Sequence, residues 1–240
     1  MNLVALQFQT DDTNYKANLD KLVSLVNKAQ EEDFIVAPEL CLTGYSYDHL
    51  EKAASFSIEA IDTIKKLSKN KKISLTLTLF NKLSNKFTNT LHIFHKGQIV
   101  YTQDKSMLFT LNDEDKYFQA GNTDDFKIIE IDGLTIASLI CFELRFLNLW
   151  EKFKGADIII VPSMWGILRK QNFESLTNSL AIMNQCYVVA SDSSNDTMAS
   201  SSGIITPFGD EVRDDNKELI SMLYDKKEIR KMRRYLNIGI

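Results

Sequence analysis

Phe126-Lys127-Ile128-Ile129-Glu130-Ile131-Asp132-Gly133-Leu134-Thr135-Ile136-Ala137-Ser138-Leu139-Ile140-Cys141 is the stretch on which the fold turns. Its first arm alternates, its second is nearly all apolar, and Asp132-Gly133 supplies the residue types of a tight two-residue turn. The spacing predicts a β-hairpin over 126–140, and a second over 86–102 around Lys96-Gly97. Two antiparallel hairpins in mid-chain argue against a simple doubly wound parallel sheet. They predict an α/β (α+β) fold with sheet packed on sheet and helices outside.

Outward from this core, strand-like runs fall at 3–8, 34–37, 73–80, 157–161, 187–191, 203–206 and 219–223. Helical spacing fills several gaps: Leu19, Leu22, Val23, Val26 and Ala29 share one face over 18–30. Ile61, Ile64 and Leu67 do so over 58–68, and Phe173, Leu176, Leu180 and Met183 over 172–184. No linker, internal repeat or low-complexity segment is visible, so a single domain over 1–240 is expected. The Ser-, Asn- and Asp-rich stretch 191–202 reads as a mobile surface loop.

Composition narrows the function classes. The chain is 44% hydrophobic and 25% charged, and no run approaches the ~18 consecutive apolar residues needed to span a bilayer. The N-terminus alternates like a strand and lacks the basic and small-residue pattern of a signal peptide, which predicts a cytoplasmic protein without a membrane partner. Three cysteines without CxxC spacing suggest free thiols rather than disulfides or zinc. His92 and His95, three apart on a strand, face opposite sides and cannot readily share a metal; no metal or cofactor is expected. At a net charge of −4, only the run 226–234 is basic, and it reads as a solvated terminal helix or dimer contact rather than a nucleic-acid site.

Cys141 stands where the apolar arm meets the charged, helix-compatible Phe142-Glu143-Leu144-Arg145-Phe146. At such junctions backbone N–H groups of the incoming turn can stabilise developing negative charge. Glu39 follows the run 34–37 and Pro38, and Lys105 follows the second arm of the other hairpin. If these strands share one sheet with their ends together, a carboxylate, an ammonium and a thiol converge. Glu39 could then act as general base and acid, Lys105 could hold a thiolate and an oxyanion with the Phe142 N–H, and Cys141 could attack a carbonyl or nitrile carbon. Taken singly, each also has an ordinary reading as a core cysteine or a solvated loop charge.

The surrounding blocks add to this. Ala37-Pro38-Glu39-Leu40-Cys41-Leu42-Thr43-Gly44-Tyr45, Asp104-Lys105-Ser106-Met107-Leu108-Phe109 and Cys141-Phe142-Glu143-Leu144-Arg145-Phe146 resemble, in this order, motifs of the nitrilase (carbon-nitrogen hydrolase) superfamily. Glu114 with Tyr117-Phe118-Gln119-Ala120-Gly121-Asn122, Asn184-Gln185-Cys186-Tyr187-Val188 and Pro207-Phe208-Gly209 extend the resemblance, which is greatest to the omega-amidase-like branch. The resemblance implies a four-layer α-β-β-α sandwich, commonly a homodimer. It also implies Glu39 as general base and acid, Lys105 as oxyanion donor, Cys141 as nucleophile and Glu114 as the carboxylate orienting Lys105. The expected partner is a small-molecule amide, such as an omega-amide of a keto or amino dicarboxylic acid, cleaved through an acyl-thioester. Nitrilase or N-carbamoyl amidase activity, and a catalytically silent scaffold, stay open as alternatives.

The chain departs from the family pattern at several positions. Phe142, Glu143 and Leu147 stand for Tyr, Asp and Pro, Ser106 for a His or aromatic, and Leu180 and Met183 for Arg and Glu. Phe142, Tyr45 and Trp165 are the candidate substrate walls; for Tyr45 and Trp165 a structural role is as open as a binding one. A primed Cys141 is expected to alkylate at mildly acidic pH ahead of Cys41 and Cys186.

Overall fold

The computed structural model describes residues 1–84 and 86–240. The first half runs β1 (Asn2–Leu6), α1 (Tyr15–Asn27), β2 (Phe34–Val36), α2 (Leu50–Lys71), β3 (Ser74–Leu83), β4 (Lys86–His95) and β5 (Gln98–Asp104). The second runs α3 (Glu114–Tyr117), β6 (Ile129–Ile131), β7 (Leu134–Ser138), α4 (Leu147–Lys152), β8 (Ile158–Pro162), α5 (Lys170–Asn184), β9 (Tyr187–Ser191), β10 (Gly203–Ile205), β11 (Glu211–Arg213), β12 (Leu219–Leu223) and α6 (Lys226–Tyr235). One sheet has the order β12-β1-β2-β3-β4-β5, the other β11-β10-β9-β8-β7-β6.

The pleat explains the layering. Leu3 and Ala5 of β1 join Phe34 and Val36 of β2 in the core between the sheets, while Val4, Leu6 and Ile35 point outward. On that outer face they meet Leu19, Leu22, Leu25 and Val26 of α1 and Ile64 of α2. Each such side chain stabilises the fold by about 1.5–3 kcal/mol when fully buried. Asn14 fixes the start of α1, its side chain accepting the Ala17 N–H at 3.1 Å. On the other side, Phe173 and Leu180 of α5 and Trp150 of α4 cover the second sheet. The result is the expected α-β-β-α sandwich, with β7, β8 and β9 parallel and buried between the layers.

Both predicted hairpins form. Lys96 and Gly97 have φ of +46° and +92°, and Asp132 and Gly133 +49° and +77°, the paired positive values of a type I′ turn. Three features differ from the sequence expectation. Helix α2 begins at Leu50, earlier than its apolar stripe suggested, because Ala53, Ala54 and Ser57 are small enough to be buried without large apolar groups. The short α3, α4 and β11 carry too few residues for a period to show. The stretch 191–202 is not simply a surface loop: the Ser191 hydroxyl donates to the Leu6 carbonyl at 2.5 Å, and the Ser202 N–H to Gln7 Oε1 at 2.8 Å. Its polar residues satisfy the backbone and side chains of β1 and its C-terminal end across the sandwich.

The two sheets also share a pattern that the sequence does not display. Stepping from β12, neighbours run antiparallel, parallel, parallel, antiparallel, antiparallel. Stepping from β6, the second sheet repeats that order. The parallel strands of each half therefore end at one edge, and the two edges lie together.

Candidate active site

Glu39, Lys105 and Cys141 do converge, but not from one sheet. Glu39 follows β2 and Lys105 follows β5 in the first sheet, while Cys141 follows β7 in the second. The site lies across the sandwich. A backbone bond joins the two edges, the Glu39 N–H donating to the Ser163 carbonyl at 3.1 Å, and Ser163 is itself fixed within the second sheet by its N–H to the Ser191 carbonyl at 2.8 Å.

Lys105 is the hub. Its Nζ donates to Glu39 Oε1 at 2.8 Å and to Glu114 Oε1 at 2.7 Å, with Tyr45 Oη farther off at 3.4 Å. All three charged side chains are wholly buried. Burial opposes the charge on Lys105, but the carboxylates of Glu39 and Glu114 outweigh it and hold the ammonium well above the ordinary lysine range. Glu114 is fixed in turn by the Phe109 N–H at 2.8 Å and by the Tyr45 hydroxyl. Asn89 donates to Glu39 Oε1 at 2.8 Å, so that oxygen takes two bonds. Glu39 Oε2 is buried without a hydrogen-bond partner among the described residues.

Cys141 has φ +49°, a left-handed conformation that costs a non-glycine residue about 1–2 kcal/mol. Ile140 and Glu143 lock it: Glu143 Oε2 accepts the Ile140 N–H at 2.7 Å. Burial, followed by the charge of Glu39, pushes the Cys141 thiol well above the ordinary range, with Lys105 pulling the other way. Lys105 therefore does not hold a resting thiolate, and alkylation at mildly acidic pH is not expected of the free protein. The resting group is a neutral thiol that needs a base.

Cys141 opens on a cavity of about 830 Å³ also lined by Phe142, Tyr45 and Trp165. Tyr45 presents its ring, since its hydroxyl is engaged with Glu114. Trp165 is 4% exposed and packs on Phe173, so it is mainly structural with one edge in the wall. Two cations also line the mouth. The Arg145 guanidinium lies 5.1 Å from the Trp165 ring centre and that of Arg169 5.3 Å from Phe109. Neither forms a salt bridge among the described residues.

The family model for carbon-nitrogen hydrolases matches residues 3–233. The chain belongs to the carbon-nitrogen hydrolase family. Among relatives, it is 30% identical over 214 residues to 2-oxoglutaramate amidase of Bacillus subtilis, covering 85% of this chain and 82% of that protein. A CN-hydrolase superfamily protein of Xanthomonas campestris, with an arsenic adduct in its active site, matches at a TM-score of 0.86 and 19% identity over 98% of this chain and 94% of its own. The amidase of Nesterenkonia sp. AN1, in a mutant form with acrylamide added at its active-site cysteine, matches at 0.83 and 16% over 98% and 97%.

In this carbon-nitrogen hydrolase two of the departures from the family pattern, Leu180 and Met183, lie on helix α5. Leu180 is buried in the core. Helix α5 is tied instead through Thr177, whose hydroxyl accepts from Arg213 at 2.7 Å, and Asn178, which donates to the Gly209 carbonyl at 2.9 Å. Met183 is 60% exposed and carries none of this support. Asn89 and Arg169 escaped the sequence reading, because neither stands in a local pattern that marks it. Among the described residues no helix is long and apolar enough to cross a membrane.

Proposed function

We propose that the chain is a cysteine-dependent amidohydrolase that acts on small amides through an acyl-thioester on Cys141. The observation that carries the reading is Glu39: Oε1 is held by Lys105 and Asn89, while Oε2 is buried and free. A carboxylate so fixed beside a neutral thiol is placed to take its proton as the sulfur attacks the amide carbon. Lysine carries three N–H donors, and two are used at short distance. The third, with only the long Tyr45 contact, is available to the oxyanion together with the Phe142 N–H. Glu39 then returns the proton to the leaving amine, the C–N bond breaks, and the thioester forms. Water, deprotonated by Glu39, cleaves it to the acid and restores the thiol.

Arg145 and Arg169 favour a substrate with an anionic far end, as does the likeness to a 2-oxoglutaramate amidase. The proposal also carries the single domain, the cytoplasmic setting and the homodimer that the family resemblance implies. Its test is ammonia release from 2-oxoglutaramate, other omega-amides, nitriles and N-carbamoyl amino acids. Amide turnover lost in C141A, with an acyl mass adduct on Cys141 in the active protein, is the expected result. An active C141A, or consumption of nitriles or carbamoyl compounds alone, overturns it.

A further inference from the structure

We infer that Asn89 is a positioning residue that locks the rotation of the Glu39 carboxylate, committing one oxygen to Lys105 and leaving the other for the proton of Cys141. The inference rests on the reading of Glu39 as the base for Cys141.

Asn89 interrupts an apolar row. Along β4 the residues 87, 89, 91 and 93 share one face, and Phe87, Leu91 and Ile93 are buried hydrophobic groups. Asparagine is depleted in strands, and this one is 1% exposed, with its Oδ1 lacking a hydrogen-bond partner among the described residues. A buried acceptor without a donor costs stability, and a leucine, branched at the same carbon, would complete the row. The amide is thus a poor choice for the fold alone. What it does make is the bond from Nδ2 to Glu39 Oε1 at 2.8 Å. An ionised carboxylate only accepts, so the nitrogen and not the oxygen of the amide must lie toward it.

The base needs such a partner. The backbone around Glu39 is pinned, its own N–H by the Ser163 carbonyl at 3.1 Å and the Leu40 N–H by the Thr78 hydroxyl at 2.7 Å. The carboxylate beyond is less constrained, because the last torsion of a glutamate is broad and roughly two-fold. Lys105 does not stop it turning: an ammonium is a compact charge with rotatable donors and can take either oxygen or both. The directional N–H of Asn89 breaks the tie, so that Oε1 accepts from both partners and Oε2 from neither. The same residue also sets the lysine, whose backbone N–H donates to the Asn89 carbonyl at 2.8 Å. Without the amide, Oε2 can swing to the ammonium, and the base is tied up in the ion pair.

The test compares wild type, N89L, E39Q and the double variant. Two readouts are taken: kcat and KM on the best amide, and the rate at which iodoacetamide, itself a small amide, alkylates Cys141, followed by peptide mass. N89L should keep KM within about twofold and lose about 10- to 100-fold in kcat, the cost of a misplaced base. Alkylation should slow in N89L and in E39Q, and no further in the double variant, because Asn89 acts only through Glu39. If N89L does not fold, N89A takes its place in the same cycle. Wild-type kcat in N89L, a rise in KM that accounts for the loss, or slowing factors that multiply in the double variant overturn the inference. Alkylation indifferent to E39Q removes Glu39 as the base of the thiol and the role of Asn89 with it. An active C141A sinks the nucleophile reading instead, and the alkylation cycle still decides the role of Asn89.

Discussion

Glu143 Oε1 accepts two hydrogen bonds from Ser106, the backbone N–H at 2.6 Å and the hydroxyl at 2.9 Å. The two residues follow strands of opposite sheets, Glu143 after β7 and Ser106 after β5. Both are departures from the family pattern, and they meet. The longer acid and the small hydroxyl together tie the turn that carries Cys141 to the loop that carries Lys105, while Glu143 Oε2 closes on the Ile140 N–H. Two substitutions that look independent along the chain form one contact in space.

Shortening or removing either partner should loosen that tie. S106A deletes one of the three bonds and should cost about 0.5–1.5 kcal/mol, whereas E143A strands buried donors and should cost about 1–3 kcal/mol. Urea unfolding of the two single variants and the double variant measures the coupling; strict additivity would remove Glu143–Ser106 as a unit.

Lys105 lies between two buried carboxylates, so K105M leaves Glu39 and Glu114 facing each other uncompensated. Stability should fall by about 3–5 kcal/mol, and kcat by about 10²–10³ in whatever folds. Adding E114Q to K105M should restore part of the stability and none of the turnover. Calorimetry and ammonia release separate the two effects.

Arg169 reaches the cavity mouth without a carboxylate partner among the described residues. R169A should raise KM for amides bearing a far carboxylate by about 10-fold or more, the loss of a charge-assisted bond. Turnover of a neutral amide of equal length should barely change. Equal losses on both substrates would mean that Arg169 supports the wall rather than reading charge.

Stability should fall as pH rises through neutrality. Burial raises the Glu143 carboxyl to about 7, above the ordinary acid range. Between roughly pH 4, where such an acid titrates in the unfolded chain, and that raised value, the native state holds more protons than the unfolded one. Its stabilising contribution is complete at the acid end and is lost as pH climbs through about 7. Melting curves across neutrality should therefore descend, and the slope should flatten in E143Q.

Much of the fold was legible because its signals are local. The glycines at 97 and 133 mark turns whose backbone needs φ of +92° and +77°, and β1 is marked as a strand by its short apolar run. The α1 stripe does the same for a helix. The short β11 and α4 were silent, since three to six residues cannot establish a period.

The candidate site divides the same way. Glu39, Lys105, Glu114 and Cys141 could be picked out because each sits in a block with recognisable neighbours. Asn89 could not: it bonds Glu39 from 50 residues away, and within β4 it is simply another polar strand residue. Arg169 matters through what it faces, and facing is not written locally.

By itself, then, the sequence determined the family, the kinds of element and the chemical groups, because side-chain period and turn chemistry act over a few residues. Tertiary structure alone decided that the groups meet across two sheets instead of along one, and that Ser106 complements Glu143. It also revealed the two halves with one order of strand directions. A strand asks only that apolar residues alternate, or run on where both faces are covered, and many unrelated sequences satisfy that. Which strands then pair, and in which direction, is fixed by how completely the whole chain buries them, and leaves no residue-level repeat to read.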